Sequence, residues 1–302
     1  MHGTVEALRT LTTGEAAVIA YRLWRPAAPR HLLVLLHGVA SNMTRWSELV
    51  TGTKLTSSWD VLRLDLRGMG RSVYRGRIGM AEWCADLAAI LAAEGYSSAV
   101  VAGHCLGANI AVEFAARYPA QARGLILIEP MPHQALAGTM RRTAGMRPLL
   151  VMFAHAVRTL NALGIHRQRI EPLDLVQLDR ETRAALAAGG ASATLLDKYA
   201  SPLLDLRTTP TGAYLQALIA VTGRLPALSD VAAPVLALLS SGSTFTDPQR
   251  TRAALAALPD CEIVGLQARH WIPTEQPDAM RGEIQNWIAR RFGAGDADAG
   301  RG

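Results

Sequence analysis

Residues 103–107 read Gly-His-Cys-Leu-Gly. An apolar run ends at this point and a helical pattern, ANIAVEFAARY, begins just after it. A thiol at such a junction is placed for nucleophilic chemistry. An abrupt strand-to-helix turn pushes the middle side chain outward, and glycines two positions either side leave the backbone and neighbouring strands room for it. A thiolate there attacks an acyl carbonyl and carries the acyl group as a thioester. The competing reading is a buried, inert cysteine at a glycine-rich turn, because free cysteine is among the most buried residue types. Two other stretches supply what such chemistry requires. His37-Gly38-Val39-Ala40-Ser41-Asn42 follows the apolar run HLLVLL, so a loop amide there can face the sulfur. His270 sits in ARHWIPTEQPDAMRGEIQNWI, in a loop ahead of an amphipathic helix, where an imidazole can manage a proton.

The elements that must position these residues show as alternating periods. Short β-type apolar runs occupy 31–36, 60–65, 98–103, 123–129, 234–240 and 261–265, and helical spacing occupies 78–94, 105–118, 248–257 and 275–292. Strands alternating with helices predict an α/β fold, with a mostly parallel central sheet covered by helices on both faces. The rhythm breaks between Pro130 and about Ser229, where only helix-favouring segments punctuated by proline and glycine occur. This predicts a helical lid at 131–229 inserted into a core made of 1–130 and 230–292. Residues 293–302 are small and polar and are expected to be a disordered tail.

Composition narrows the function classes. Half of the 302 residues are hydrophobic and the formal net charge is +6, but the basic residues are spread out, pairing locally only as Arg141-Arg142 and Arg290-Arg291. A dispersed charge of that kind reads as solvated surface, so no nucleic-acid partner is expected. Three widely separated cysteines, Cys84, Cys105 and Cys261, argue against a disulfide framework and for a reducing, cytoplasmic setting. The longest apolar run is too short to cross a bilayer. There is no glycine-rich dinucleotide fingerprint and no metal-ligand spacing, so no cofactor is expected.

Four motifs in order, HGVASN, DLRGMGRS, GHCLG and RHWIPTEQPDAMRGEI, resemble those of the α/β-hydrolase fold superfamily, here as a variant with cysteine in the nucleophile elbow. The resemblance covers roughly 14–130 and 230–292. It implies an α/β-hydrolase fold with Cys105 as nucleophile, His270 as general base, and the backbone amides of Val39 and Leu106 as an oxyanion hole. His37 and His104 read as structural, Asp65, Arg67 and Ser72 as loop anchors, and Cys84 and Cys261 as packing. The superfamily's usual aspartate is missing: its position aligns with Ser243, in SSGSTFTD. Glu129, at the end of GLILIE, is the preferred substitute, because some relatives supply the acid from that strand end. Asp247 is the alternative, although it can equally cap the helix that begins at Pro248.

Cysteine in place of serine bears on the reaction class. Exchange of one thioester for another is close to energy-neutral, which suits a small acyl substrate linked to a carrier protein or to coenzyme A. A thioesterase, acyltransferase or cyclase is the expectation, with a carboxylesterase or lactonase of the same fold, or a non-catalytic ligand-binding member, as alternatives. The strongly apolar lid segment 148–165 and its methionines suggest an acyl pocket lined by Met131, Met152 and Phe153, against the plainer reading that they pack the lid. Tyr199 and Tyr214 read as either packing or pocket residues.

Overall fold

The computed structural model describes residues 6–28, 30–188, 199, 201–242 and 244–293. Eight strands form one sheet: β1 (Glu6–Thr12), β2 (Val18–Trp24), β3 (His31–Leu36), β4 (Trp59–Leu64), β5 (Ala99–His104), β6 (Ala122–Ile128), β7 (Val235–Ser240) and β8 (Cys261–Leu266). Their spatial order is β1-β2-β4-β3-β5-β6-β7-β8. The pairs β1–β2 and β2–β4 are antiparallel and the rest are parallel. The chain therefore has the α/β-hydrolase architecture expected from the motifs.

The central strands are apolar without alternation because both faces of the sheet are covered. Along β3, Leu32, Val34 and Leu36 enter one apolar cluster, while Leu33 and Leu35 enter the other. The first cluster is closed by α2 (Met80–Glu94) and α3 (Leu106–Arg117), the second by α1 (Ser47–Gly52) and the C-terminal helix Pro277–Phe292.

The hairpin β1–β2 is an addition to the sequence reading, which began its strands at residue 31. Its β1 is half-exposed and studded with charge, so no continuous apolar run announces it. Long-range ion pairs hold it instead: Arg63 binds Glu6 at 2.8 Å and Arg9 binds Glu94 at 2.7 Å. The DLRGMGRS loop is tied down as anticipated. Asp65 accepts from the amides of Met43 and Arg71, Ser72 bridges Asp65 and Ala20, and Arg67 grips Asp86.

Between β6 and β7 the described residues include the helices α4 (Gly138–Gly145), α5 (Arg147–Ala162), α6 (Leu175–Ala187), Pro202–Thr208 and Thr211–Val221, and no strand. The expected disordered tail falls on 294–302, outside the described residues.

Two close approaches show why glycine brackets Cys105. A Cβ on Gly103 would lie 2.1 Å from the Gly107 backbone, and one on Gly107 would lie 2.3 Å from the Leu36 carbonyl oxygen. Both obstacles are backbone and cannot swing aside. Gly107→Ala is therefore expected to cost at least ~3 kcal/mol, the upper range for overpacking, because β3 and α3 must separate. Urea unfolding would measure it, and a loss below about 1 kcal/mol would mean that the helix shifts freely against the strand.

Candidate active site

Cys105 directly follows β5 as the N-cap of α3, with φ 54° and ψ −113°. A non-glycine residue at positive φ is strained and persists only where its surroundings impose it. The restraints here are main-chain bonds: the Cys105 amide donates to the Ile128 carbonyl at 2.9 Å, and its own carbonyl accepts from Ala108 and Asn109. The side chain is buried but borders a cavity. Its sulfur lies 3.2 Å from Met131 Sδ. Asn109 fixes Met131 there by bonding both its amide, at 2.9 Å, and its carbonyl, at 3.1 Å.

His270 and Glu129 meet beside the elbow although they are 141 residues apart. His270 lines the same cavity as Cys105, and its Nδ1 is bonded to Glu129 Oε2 at 3.1 Å. Glu129 follows the end of β6 at φ 51°, again in the strained left-handed region. Its other oxygen accepts the amide of Ser240, the last residue of β7. Burial by itself would push the His270 imidazole down. Interaction with Cys105 and Glu129 outweighs it and raises the pKa to about 9.

The loop bearing His270 is held from several sides. The Glu275 carboxylate accepts the amides of Arg269, His270 and Trp271, at 3.0, 3.3 and 3.0 Å. His104 bonds the His270 carbonyl through Nε2 at 3.0 Å, and Phe245 meets the His270 ring edge-on at 4.7 Å. Burial pushes His104 well below the ordinary histidine range, so it stays neutral. His37 is likewise kept neutral by burial, at about 4. Its Nδ1 donates to the Gly38 carbonyl at 2.8 Å and its Nε2 accepts the Leu66 amide at 3.0 Å. Both histidines hold backbone, as their positions beside the motifs suggested.

The His37 bond also orients a peptide. With the Gly38 carbonyl turned to His37, the Val39 N–H of that trans peptide points the opposite way, and Val39 borders the same cavity as Cys105. Leu106 opens α3, so its amide has no intrahelical acceptor.

A cavity of about 590 Å³ extends from Cys105, His270 and Val39 beneath the helices between β6 and β7. Leu175, Leu178, Leu218 and Val221 give it apolar walls. Met131 lines it as expected, but Met152 and Phe153 do not. They are 55% and 53% exposed on the outer side of α5. Sequence periodicity marks apolar positions on a helix without saying which of two apolar faces is the inner one.

Asp247 is the other correction. Its carboxylate accepts the Arg250 amide at 2.9 Å and caps the helix Pro248–Leu255, so it is engaged away from His270. Ser243 lies outside the described residues. Asp247→Ala is expected to cost about 1 kcal/mol of stability by removing the cap, with no loss of turnover. A thermal melt alongside an activity assay checks both halves. Cys84 and Cys261 are packing residues whose thiols burial pushes up, Cys261 to about 11.

The polar links along the cavity wall carried no sequence signal. Arg45 binds Asp179 at 2.7 Å and Thr274 at 2.6 Å, and Tyr199 also donates to Asp179, joining α6 to the core across the cavity wall. Asp205, pushed by burial up to about 7, lines the same cavity as Tyr214. Both tyrosines are thus cavity residues. Only Glu275 was readable in principle, as an acidic residue just inside the helical turn that follows His270. No group of His, Cys, Asp and Glu suited to a metal ion occurs among the described residues.

The family described as serine aminopeptidase, S33 matches residues 27–276. RutD of Caulobacter segnis is 30% identical over 132 residues, 41% of this chain and 48% of that protein. The chain thus spans about half the length of the first relatives it matches. The 2-(acetamidomethylene)succinate hydrolase of Mesorhizobium japonicum is 24% identical over 85% of this chain and 87% of that one. Among solved structures, a hydrolase from Pseudomonas aeruginosa PA01 superimposes with a TM-score of 0.68 at 22% identity, over 95% of this chain and 98% of that one.

Proposed function

We propose, for a chain that belongs to the serine aminopeptidase, S33 family of α/β hydrolases, that Cys105 is a nucleophile forming an acyl-cysteine intermediate. The observation that carries this reading is the convergence of Cys105, at a strained elbow, and the His270–Glu129 pair on one apolar cavity. That is the nucleophile–base–orienter arrangement of covalent acyl transfer.

The Cys105 sulfur adds to the acyl carbonyl, and the carbonyl electron pair moves to oxygen, where the Val39 and Leu106 amides stabilise it. The carbonyl re-forms as the bond to the leaving thiol or alcohol breaks, and the His270 imidazolium gives that group its proton. In the second half His270 removes a proton from the incoming acceptor, which attacks the thioester carbonyl and releases the sulfur. An acceptor other than water leads to transfer or cyclisation, and water gives thioesterase-type release. The helices of 131–229 form a lid over the cavity in this reading and decide which acceptor enters. The substrate is a small acyl thioester, carrier- or coenzyme-A-linked. An ester or lactone substrate fits the same geometry equally well, since the covalent half-reaction is identical.

Incubation with a series of acyl thioesters, followed by intact-protein mass measurement, tests the proposal. An adduct of acyl mass on Cys105 is the expected result, and its partition between water, amine and thiol acceptors separates hydrolysis from transfer. No adduct and no turnover with any thioester or ester would remove the proposal.

A further inference from the structure

The outer side of α5 is apolar where a protein surface ordinarily is not. The helix has two apolar faces. One includes buried Ala154 and also Val157, which faces Gly212 on the helix Thr211–Val221. The other carries Leu149, Met152, Phe153 and Leu160, continued by Leu163 at the C-cap, and each of these is between 44% and 69% exposed. At about 100° per residue these five positions fall within one third of the helix circumference, along a stripe about 20 Å long. A contiguous exposed stripe of large apolar side chains marks an interaction surface.

Charge identifies what covers it. Residues 131–170 contain six arginines, Arg141, Arg142, Arg147, Arg158, Arg167 and Arg169, and no aspartate or glutamate. Arg147 and Arg167 donate to the Ile219 and Thr209 carbonyls and Arg158 is partly buried, whereas Arg141, Arg142 and Arg169 are exposed and make no ion pair among the described residues. In the chain Arg141 and Arg142 precede the stripe and Arg169 follows it, while Arg147 and Arg158 fall on the opposite side of α5. A second copy of the chain is a poor occupant, because a two-fold interface sets the same patch against itself and brings arginine to arginine. A convex helix face that is apolar along its crest and cationic at its ends fits an anionic lipid surface. The stripe enters the acyl boundary while the guanidinium groups reach lipid phosphates. We infer that α5 docks this protein peripherally on anionic membranes, through Leu149, Met152, Phe153, Leu160 and Leu163 with the exposed Arg141, Arg142 and Arg169. Met140 and Thr143 of the preceding α4 line the cavity, so docking brings the cavity rim close to a phase in which acyl substrates dissolve. This inference stands apart from the chemistry at Cys105 and can fail or hold without it.

Co-sedimentation of the full chain with vesicles of phosphatidylcholine, alone or mixed with phosphatidylglycerol, tests it. Binding is expected to the mixed vesicles only, and to weaken at least ~tenfold from low to physiological salt. The pair Met152→Glu and Phe153→Glu is expected to lower vesicle affinity at least ~tenfold while leaving circular dichroism, melting temperature and acylation of Cys105 in solution unchanged. The pair Arg141→Ala and Arg142→Ala is expected to flatten the salt dependence. Four results would overturn the inference: no binding to either vesicle, equal binding to both, binding unaffected by the glutamate pair, or a concentration-dependent dimer that the glutamate pair dissolves. Capture of an acidic acyl carrier protein without vesicle binding would also overturn it, in favour of a protein partner.

Discussion

Cys105→Ala is expected to abolish acyl-adduct formation and to lower turnover of an acyl thioester by about 10⁴-fold or more. The size follows from the way the site is built. Once the sulfur is gone, His270 has no nucleophile to serve, so removing one member costs nearly as much as removing all. In the proposed mechanism, whatever rate survives comes from the Val39 and Leu106 amides and from binding in the cavity. Fold loss cannot imitate this result, because alanine removes one sulfur from a side chain whose backbone is held by bonds to Ile128, Ala108 and Asn109. Circular dichroism and a thermal melt should therefore match the parent. Cys105→Ser is a finer probe: a serine there needs His270 to remove its proton during attack, so its rate should depend more steeply on the imidazole. Turnover of Cys105→Ala within tenfold of the parent would mean that the chemistry lies elsewhere in the cavity.

Glu129→Gln is expected to lower kcat/KM by roughly 10²- to 10⁴-fold and to shift the pH profile. Glu129 does two things for His270. It fixes the ring through Nδ1, and its charge supports the imidazolium. With the His270 pKa raised to about 9, the proton that the leaving group needs is present below that pH and is lost above it. The parent's basic limb should thus fall near pH 9. Glutamine removes the charge and can present its amide N–H₂ to the ring, favouring the wrong tautomer. Both effects lower the pKa, so the basic limb moves towards neutrality and the plateau falls as well. An unmoved basic limb in Glu129→Gln would show that Glu129 is a structural group only. The comparison with Asp247→Ala is internal: both lose a carboxylate near the C-terminal ends of the strands, yet only one faces the imidazole.

The parallel core was readable because its physics is local. HLLVLL, AVVAGH and GLILI are continuous apolar runs that only a sheet covered on both faces can bury, and the elbow glycines announced a turn whose crowding allows nothing larger. The hairpin β1–β2 was not readable, because its stability comes from Arg63–Glu6 and Arg9–Glu94 across the fold rather than from its own pattern. Met152 and Phe153 were assigned to the cavity for a related reason. A helix that is apolar on two faces offers no period by which to tell inside from outside.

What the chain determined by itself was the elements of the parallel core, the turn that presents Cys105, and a short list of partners for it. The choice among those partners belonged to the tertiary structure. Glu129 is preferred over Asp247 in the sequence only through a resemblance, since both are acids near strand ends. Their roles diverge because the end of β6 places one against His270 with a β7 amide to hold it, while the other is spent on the first turn of its own helix. Contacts between groups 141 residues apart depend on how strands are ordered in space, and strand order is a property of the packed sheet that no local pattern encodes.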